Sequence, residues 1–310
     1  MAFDRNTPVR GTQSFVHTLA ACWKRPSLTA LEVLWRWAYG VPALALMAYQ
    51  ALGVWRQAQV DPSALRQISL LDPVNAASTL MQTAMQLLPP VLRVARWLAP
   101  LLLVAWIIVS SLGRVLVLRR FDAQLHARPV TLMLLQAARM AALLGGFALW
   151  FTCLQAAGDV AVKLPIASGR DPNLVLYCAI VIVATLGVFT LWAVVSWVFS
   201  VAPLLAMRDN LGAAASLAAA FRLGPLRSRL IEINLVMGIV KIALIVLAMV
   251  FSATPLPFQS VATPQFMLCW YAVVTVLYLI ASDFFHVVRL VAYHELWKSY
   301  DHAALPAHSR

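Results

Sequence analysis

Two ionisable residues stand where charge is most costly. Lys241 lies about twelve residues into an apolar run that reads as a membrane-spanning helix. At about 1.5 Å of rise per residue it sits near mid-bilayer. Asp283 lies in the second half of the last such run. Intramembrane charge is expensive, so these residues face a bundle interior, a cavity or a partner. Side chains lean toward the N-terminus of their helix. Lys241 therefore reaches inward and Asp283 outward, toward one depth, and a Lys241–Asp283 pair is expected, direct or through water. Two readings of it stand: a buried pair that fixes helix register, or an ion or proton relay.

The other polar candidates gather near the inner ends of apolar runs. Glu32 and Arg36 are spaced for an i,i+4 pair on one helix face. Arg36 equally has the reach to snorkel to a lipid phosphate, as does Arg139 beside its basic loop. Glu232, Asn234, His286 and Arg289 are expected to form an inner polar cluster, either as local charge balance or as a site. Other chemistry is missing from the sequence. There is no phosphate-binding Gly loop, no nucleophile elbow and no zinc-protease motif. His286 and His294 are eight apart, with no Cys or carboxylate at ligand spacing. No catalytic, metal or cofactor constellation is expected. Cys22, Cys153, Cys178 and Cys269 are far apart; buried small hydrophobes are the plain reading, and a Cys153–Cys178 bridge the other.

Composition explains the setting of these residues. Of 310 residues 62% are hydrophobic and only 12% charged, against about 25% charged in ordinary soluble domains. This excludes a disordered chain, a collagen-like chain and an ordinary cytosolic enzyme. Six runs reach the length of a span: 31–55, 98–118, 130–154, 174–205, 230–251 and 266–290. The net charge is +12. With both termini cytoplasmic, fifteen of the 24 Lys and Arg fall on inner segments and six on outer ones. That bias orients the protein. The inner basic stretches are short and mixed with apolar residues, so they suit membrane lipids with anionic headgroups rather than nucleic acid. The N-terminal 27 residues have no uninterrupted apolar core, and no signal peptide is expected.

The expected architecture is all-α: a polytopic six-helix transmembrane bundle. Pro26, Pro129 and Pro225 each follow an amphipathic stretch and precede a span, 103 and 96 residues apart. They suggest three parallel pseudo-repeated helix hairpins, each with an inner interfacial amphipathic helix. Residues 56–97 form an outer loop. Within it Ala77, Leu80, Met81, Ala84, Met85 and Leu88 make an apolar stripe of a helix that Pro89-Pro90 should end.

The layout resembles the bacterial six-helix membrane proteins of the YciC-like group and the membrane domain attached to some glycerophosphodiester phosphodiesterases. The likeness rests on the N-terminal amphipathic segment, on SLGR at Ser111–Arg114 and on SLAAAFRLGP at Ser216–Pro225. It implies a multi-pass protein of the bacterial cytoplasmic (inner) membrane and carries over no catalytic residue. The functional expectation is a non-enzymatic membrane-organising or partner-binding subunit with a protein partner in the membrane. The alternative is a small transporter or lipid-handling protein using a polar site around Lys241 and Asp283.

Overall fold

The computed structural model describes residues 18–58, 63, 73–222, 226–253 and 263–304. Among them there is helix and no strand. A short helical stretch at 18–23 leads into α1 (Pro26–Gln57), followed by α2 (Pro73–Phe121) and α3 (Pro129–Gly158). Helix α3 passes through a π turn at Asp159–Lys163 and one more α turn, Leu164–Ala167. Then come α4 (Leu174–Arg208), the short α5 (Ala213–Phe221), α6 (Leu226–Ala253) and α7 (Pro264–Ala304). Five of these are long and apolar enough to cross a membrane: α2, α3 with its extension, α4, α6 and α7. That fits a multi-pass membrane protein. Each expected span lies inside a helix, but α1 is not among those five. Its apolar run is interrupted by Glu32, Arg36, Tyr39 and Gln50.

The helix starts follow a simple rule. Pro26, Pro73, Pro129 and Pro264 each open a helix, where the missing proline N–H has no intrahelical partner to lose. Because four helices use it, the device no longer marks a threefold repeat; Pro225 lies outside the described residues. The amphipathic segments expected before each span also differ. Residues 18–23 and α5 are helical, whereas Asp122–Arg128 is not helical.

The clearest departure concerns Pro89-Pro90. They do not end a helix: α2 runs unbroken for 49 residues, with Pro89, Pro90 and Pro100 inside it. The first two prolines remove donors to the carbonyls of Met85 and Gln86. Both residues are exposed, so those carbonyls remain open to water. The expected apolar stripe is likewise uncovered at Leu80, Met81, Met85 and Leu88. All four cysteines are free thiols, so Cys153 and Cys178 form no bridge.

The chain divides into two compact units, Leu34–Gly113 and the remainder. In the smaller unit α1 meets α2 through aromatic contacts. The Trp35 and Trp106 rings lie 5.9 Å apart, and the Tyr39 hydroxyl donates to the Leu102 carbonyl at 2.8 Å. The Trp35 ring rests directly on Gly113, where a Cβ would penetrate it. That is a physical reason for glycine in the SLGR stretch.

In the larger unit α3 pairs with α4 and α6 with α7. The two pairs share a core at one end, formed by Leu132 and Leu135 of α3, Trp197–Met207 of α4, Ala220 of α5, Leu230 of α6 and Leu290 and Tyr293 of α7. We call this the packed end. A second cluster there joins Cys22 and Leu28 to Met237, Val287, Val288 and Val291. The turn between α4 and α5 is fixed by Asn210, whose φ of 55° is a conformation asparagine tolerates. Its Oδ1 accepts from Arg128 Nε at 2.5 Å, and the His126 amide donates to the Met207 carbonyl at 2.8 Å. Toward the far end, apolar faces are uncovered, including Val183 and Phe189 of α4, Ile239 and Ile242 of α6, and Leu268 and Leu277 of α7.

Candidate functional site

The last half of α7 brings polar groups into the packed end. Asp283, His286, Arg289 and Tyr293 recur at three- and four-residue steps, which places them along one side of a helix. Glu32 comes to this side from the start of α1 and is 1% exposed. Its Oε1 lies 3.7 Å from His286 Nε2. Arg289 Nη2 lies 2.8 Å from His286 Nδ1. A guanidinium only donates, so Nδ1 accepts and the ring proton of neutral His286 belongs on Nε2, toward Glu32. Beyond them the Tyr293 hydroxyl donates to Asn234 Oδ1 of α6 in a short hydrogen bond. Arg289 and Arg139 both lie within electrostatic range of that hydroxyl.

A neighbouring face of α7 carries His294 and Glu295. His294 Nε2 is 3.2 Å from Asp122 Oδ2, and its ring meets Phe121 edge-on. Glu295 Oε2 accepts from Thr18 Oγ1 at 3.1 Å. Cys22, buried beside it, has its thiol pushed up to about 11, first by burial and then by the Glu295 carboxylate, against the pull of Arg25. Arg25 also sits 5.9 Å over the Phe121 ring. Residues at or beside the expected inner ends of the spans, among them Cys22, Leu118, Leu205, Leu230 and Val291, thus pack into the two buried clusters of the packed end.

Several expected residues are here and others are not. Asn234, His286 and Arg289 join the cluster, with Arg139 in electrostatic range, whereas Glu232 is exposed. Arg36 belongs to the smaller unit, where its guanidinium lies 5.4 Å over the Trp35 ring. The Lys241–Asp283 pair is not formed among the described residues: Lys241 is exposed and Asp283 is 5% exposed. Similar depth does not ensure facing. The Trp270 indole donates to the Phe251 carbonyl at 2.7 Å, which sets the side of α7 that meets α6. Val274 is buried one turn on from Trp270.

Glu32, Tyr293, Asp122, His294, Thr18 and Glu295 complete the polar core and lie outside the expected cluster. Helical periodicity carried a signal for Tyr293, seven residues after His286. Asp122 and Thr18 come from outside the spans, so no spacing within a helix could find them. Among the described residues no group of three His, Cys, Asp or Glu could hold a metal ion. The polar core is a web of side chains bonded to one another, suited to fixing helices against each other. Comparison with protein-family models, curated proteins and solved structures finds no match, so the functional reading rests on the chain's own residues.

Proposed function

We propose that the chain is a non-enzymatic, partner-binding subunit of the bacterial cytoplasmic membrane, with six spans and both termini cytoplasmic. The six-span layout is the one implied by the sequence resemblance to the YciC-like group. One observation carries the reading: Lys241 is exposed in the middle of an apolar helix. It lies nine residues into the spanning part of α6, Glu232–Ala253, and twelve from its end. Ile239, Ile242 and Ile245 around it are exposed as well. Among the described residues Lys241 makes no ion pair. The only carboxylates within the expected spans are Glu32, Glu232 and Asp283. Glu32 and Asp283 are buried at the packed end, and Glu232 sits at the helix start, nine residues away. A charge on a lipid-facing surface is costly. The partner that removes this cost is a transmembrane helix of another protein carrying an Asp or Glu at mid-bilayer depth.

The test places a photo-crosslinking residue at Ile242 in the full chain within its native membrane. The expected result is a discrete protein adduct, kept in Lys241→Arg and lost in Lys241→Met. Lipid adducts alone, or an adduct unchanged in Lys241→Met, overturns the reading. The gathering of the basic segments at one end supports their common cytoplasmic side. Cysteines introduced at Asp209 and at Ala262 should label from the cytoplasm and from outside, respectively; the reverse would overturn the orientation.

A further inference from the structure

At the packed end, the last turn of α4, helix α5 and the end of α7 surround an open cavity of about 480 Å3. Its hollow has a sequence cause: α5 presents Ala215, Ala218 and Ala219, whose methyl groups leave the space a larger residue would fill. Trp297 lines it from α7, and the Arg208 guanidinium lies 5.1 Å from the Trp297 ring centroid. Two charged residues of opposite sign complete the lining, Asp209 and Arg222. Both are exposed. The Asp209 amide caps α4 by donating to the Leu205 carbonyl. Its carboxylate pairs with Arg208 Nε at 3.6 Å, an ion pair longer than a hydrogen bond, and so keeps its acceptor capacity. Arg222 makes no side-chain hydrogen bond or ion pair among the described residues.

The cavity lies where a spanning helix ends and a short helix turns aside, the depth of lipid headgroups. A ligand there meets one carboxylate, one guanidinium and an indole. A purely anionic group satisfies Arg222 but brings the Asp209 oxygens no cationic donor. A phosphocholine satisfies Arg222 and offers Asp209 no N–H. A phosphoethanolamine group satisfies both, since its phosphate takes the Arg222 fork and its primary ammonium donates to Asp209 beside the Trp297 ring.

We propose that this cavity binds a phosphoethanolamine group, presented by a phospholipid headgroup or free in solution. The proposal rests on the membrane reading above, which sets the last turn of α4 at headgroup depth, but it is independent of any protein partner. The test is native mass spectrometry of the detergent-purified full chain, titrated with phosphatidylethanolamine, phosphatidylglycerol or phosphatidylcholine. Phosphatidylethanolamine should be retained about fivefold better than the other two, the effect of one partly exposed ion pair. Asp209→Asn should remove that preference, and Arg222→Gln should weaken retention of phosphatidylethanolamine. Ala218→Leu should do both by filling the hollow, with Ala218→Ser as the variant that keeps it. Soluble phosphoethanolamine that binds and displaces the lipid assigns the free compound as a ligand; binding of the lipid alone assigns the headgroup. Equal retention of the three lipids, or a preference unchanged in both Asp209→Asn and Ala218→Leu, overturns the proposal. Lys241→Met should leave the lipid preference intact, so a failed partner reading and a failed lipid reading give different results.

Discussion

Within the larger unit, the two ends of the same helices are built on different principles. At the packed end, α3, α4, α5, α6 and α7 share one core, and side chains such as Met207, Val287 and Val288 are completely buried. Toward the far end the helices pair as α3–α4 and α6–α7 and leave long apolar faces uncovered. In water the second arrangement would be unstable. In a bilayer it costs little, because lipid tails are as apolar as leucine and no hydrophobic drive separates a lipid-facing residue from a buried one. The difference teaches where cohesion comes from. Polar side-chain contacts and close packing hold the packed end, while the far end relies on helix pairing and its surroundings.

The largest expected effect tests this division directly. Met207→Ala should destabilise the purified protein by about 2–5 kcal/mol through the cavity it leaves. Leu186→Ala, on the exposed face of α4, should stay within about 0.5 kcal/mol. Thermal or denaturant unfolding in detergent reads both, and equal losses would break the comparison. A smaller contrast sets two hydrogen bonds against each other. Tyr293→Phe leaves the Asn234 amide oxygen without its donor and should cost about 1–2 kcal/mol. Trp150→Phe removes the bond to Thr185 near the far end, where the Thr185 hydroxyl keeps its bond to the Val181 carbonyl. It should cost about 0.6 kcal/mol, typical of polar contacts between membrane helices.

The smallest effect is on reactivity. In single-cysteine variants, maleimide should modify Cys178, which is exposed, much faster at neutral pH than buried Cys22. The Cys22 thiol holds its proton up to about pH 11 rather than its ordinary 9.0. Its raised value favours the folded state below pH 9, and that contribution fades as pH rises from about 9 to 11. Labelling of Cys22 should climb through the same window, and Glu295→Gln should shift it to lower pH. A Cys22 that labels as fast as Cys178 at neutral pH would show that the packed end is open.

The positions of the helices were readable because a bilayer demands about twenty apolar residues and tolerates no exposed backbone. Their ends were harder. Pro89-Pro90 read as a stop because two donors are lost, yet an exposed turn can leave the orphaned carbonyls to water. The polar cluster was half readable. His286, Arg289 and Asn234 share a depth and do meet a common core. Lys241 and Asp283 share a depth too, but side-chain contacts between the helices leave Lys241 exposed and Asp283 buried. Those contacts depend on rotation about the helix axis, which hydropathy does not record. The cavity at Asp209, Arg222 and Trp297 was invisible for another reason: it is an absence of volume at Ala215, Ala218 and Ala219, three residues that read as ordinary helix formers.

The wide turn in α3 has a consequence for length changes in the chain. A π turn is what one inserted residue leaves in an otherwise regular helix. Just beyond it Pro165 has no N–H to give the carbonyl four residues back, so the fully buried Ala161 carbonyl accepts instead from the Asn173 amide at 2.8 Å, at the point where α4 begins. Asn173 in turn caps α4 by accepting from the Leu176 amide at 2.9 Å. Deleting one residue from Asp159–Lys163 would restore the ordinary winding and turn Leu164–Ala167 by about 100°. That rotation would swing the segment leading to Asn173 away from the Ala161 carbonyl and break the latch to α4. At this corner of the protein, a single-residue deletion should therefore be harsher than most substitutions, because the surplus residue is what closes the hairpin.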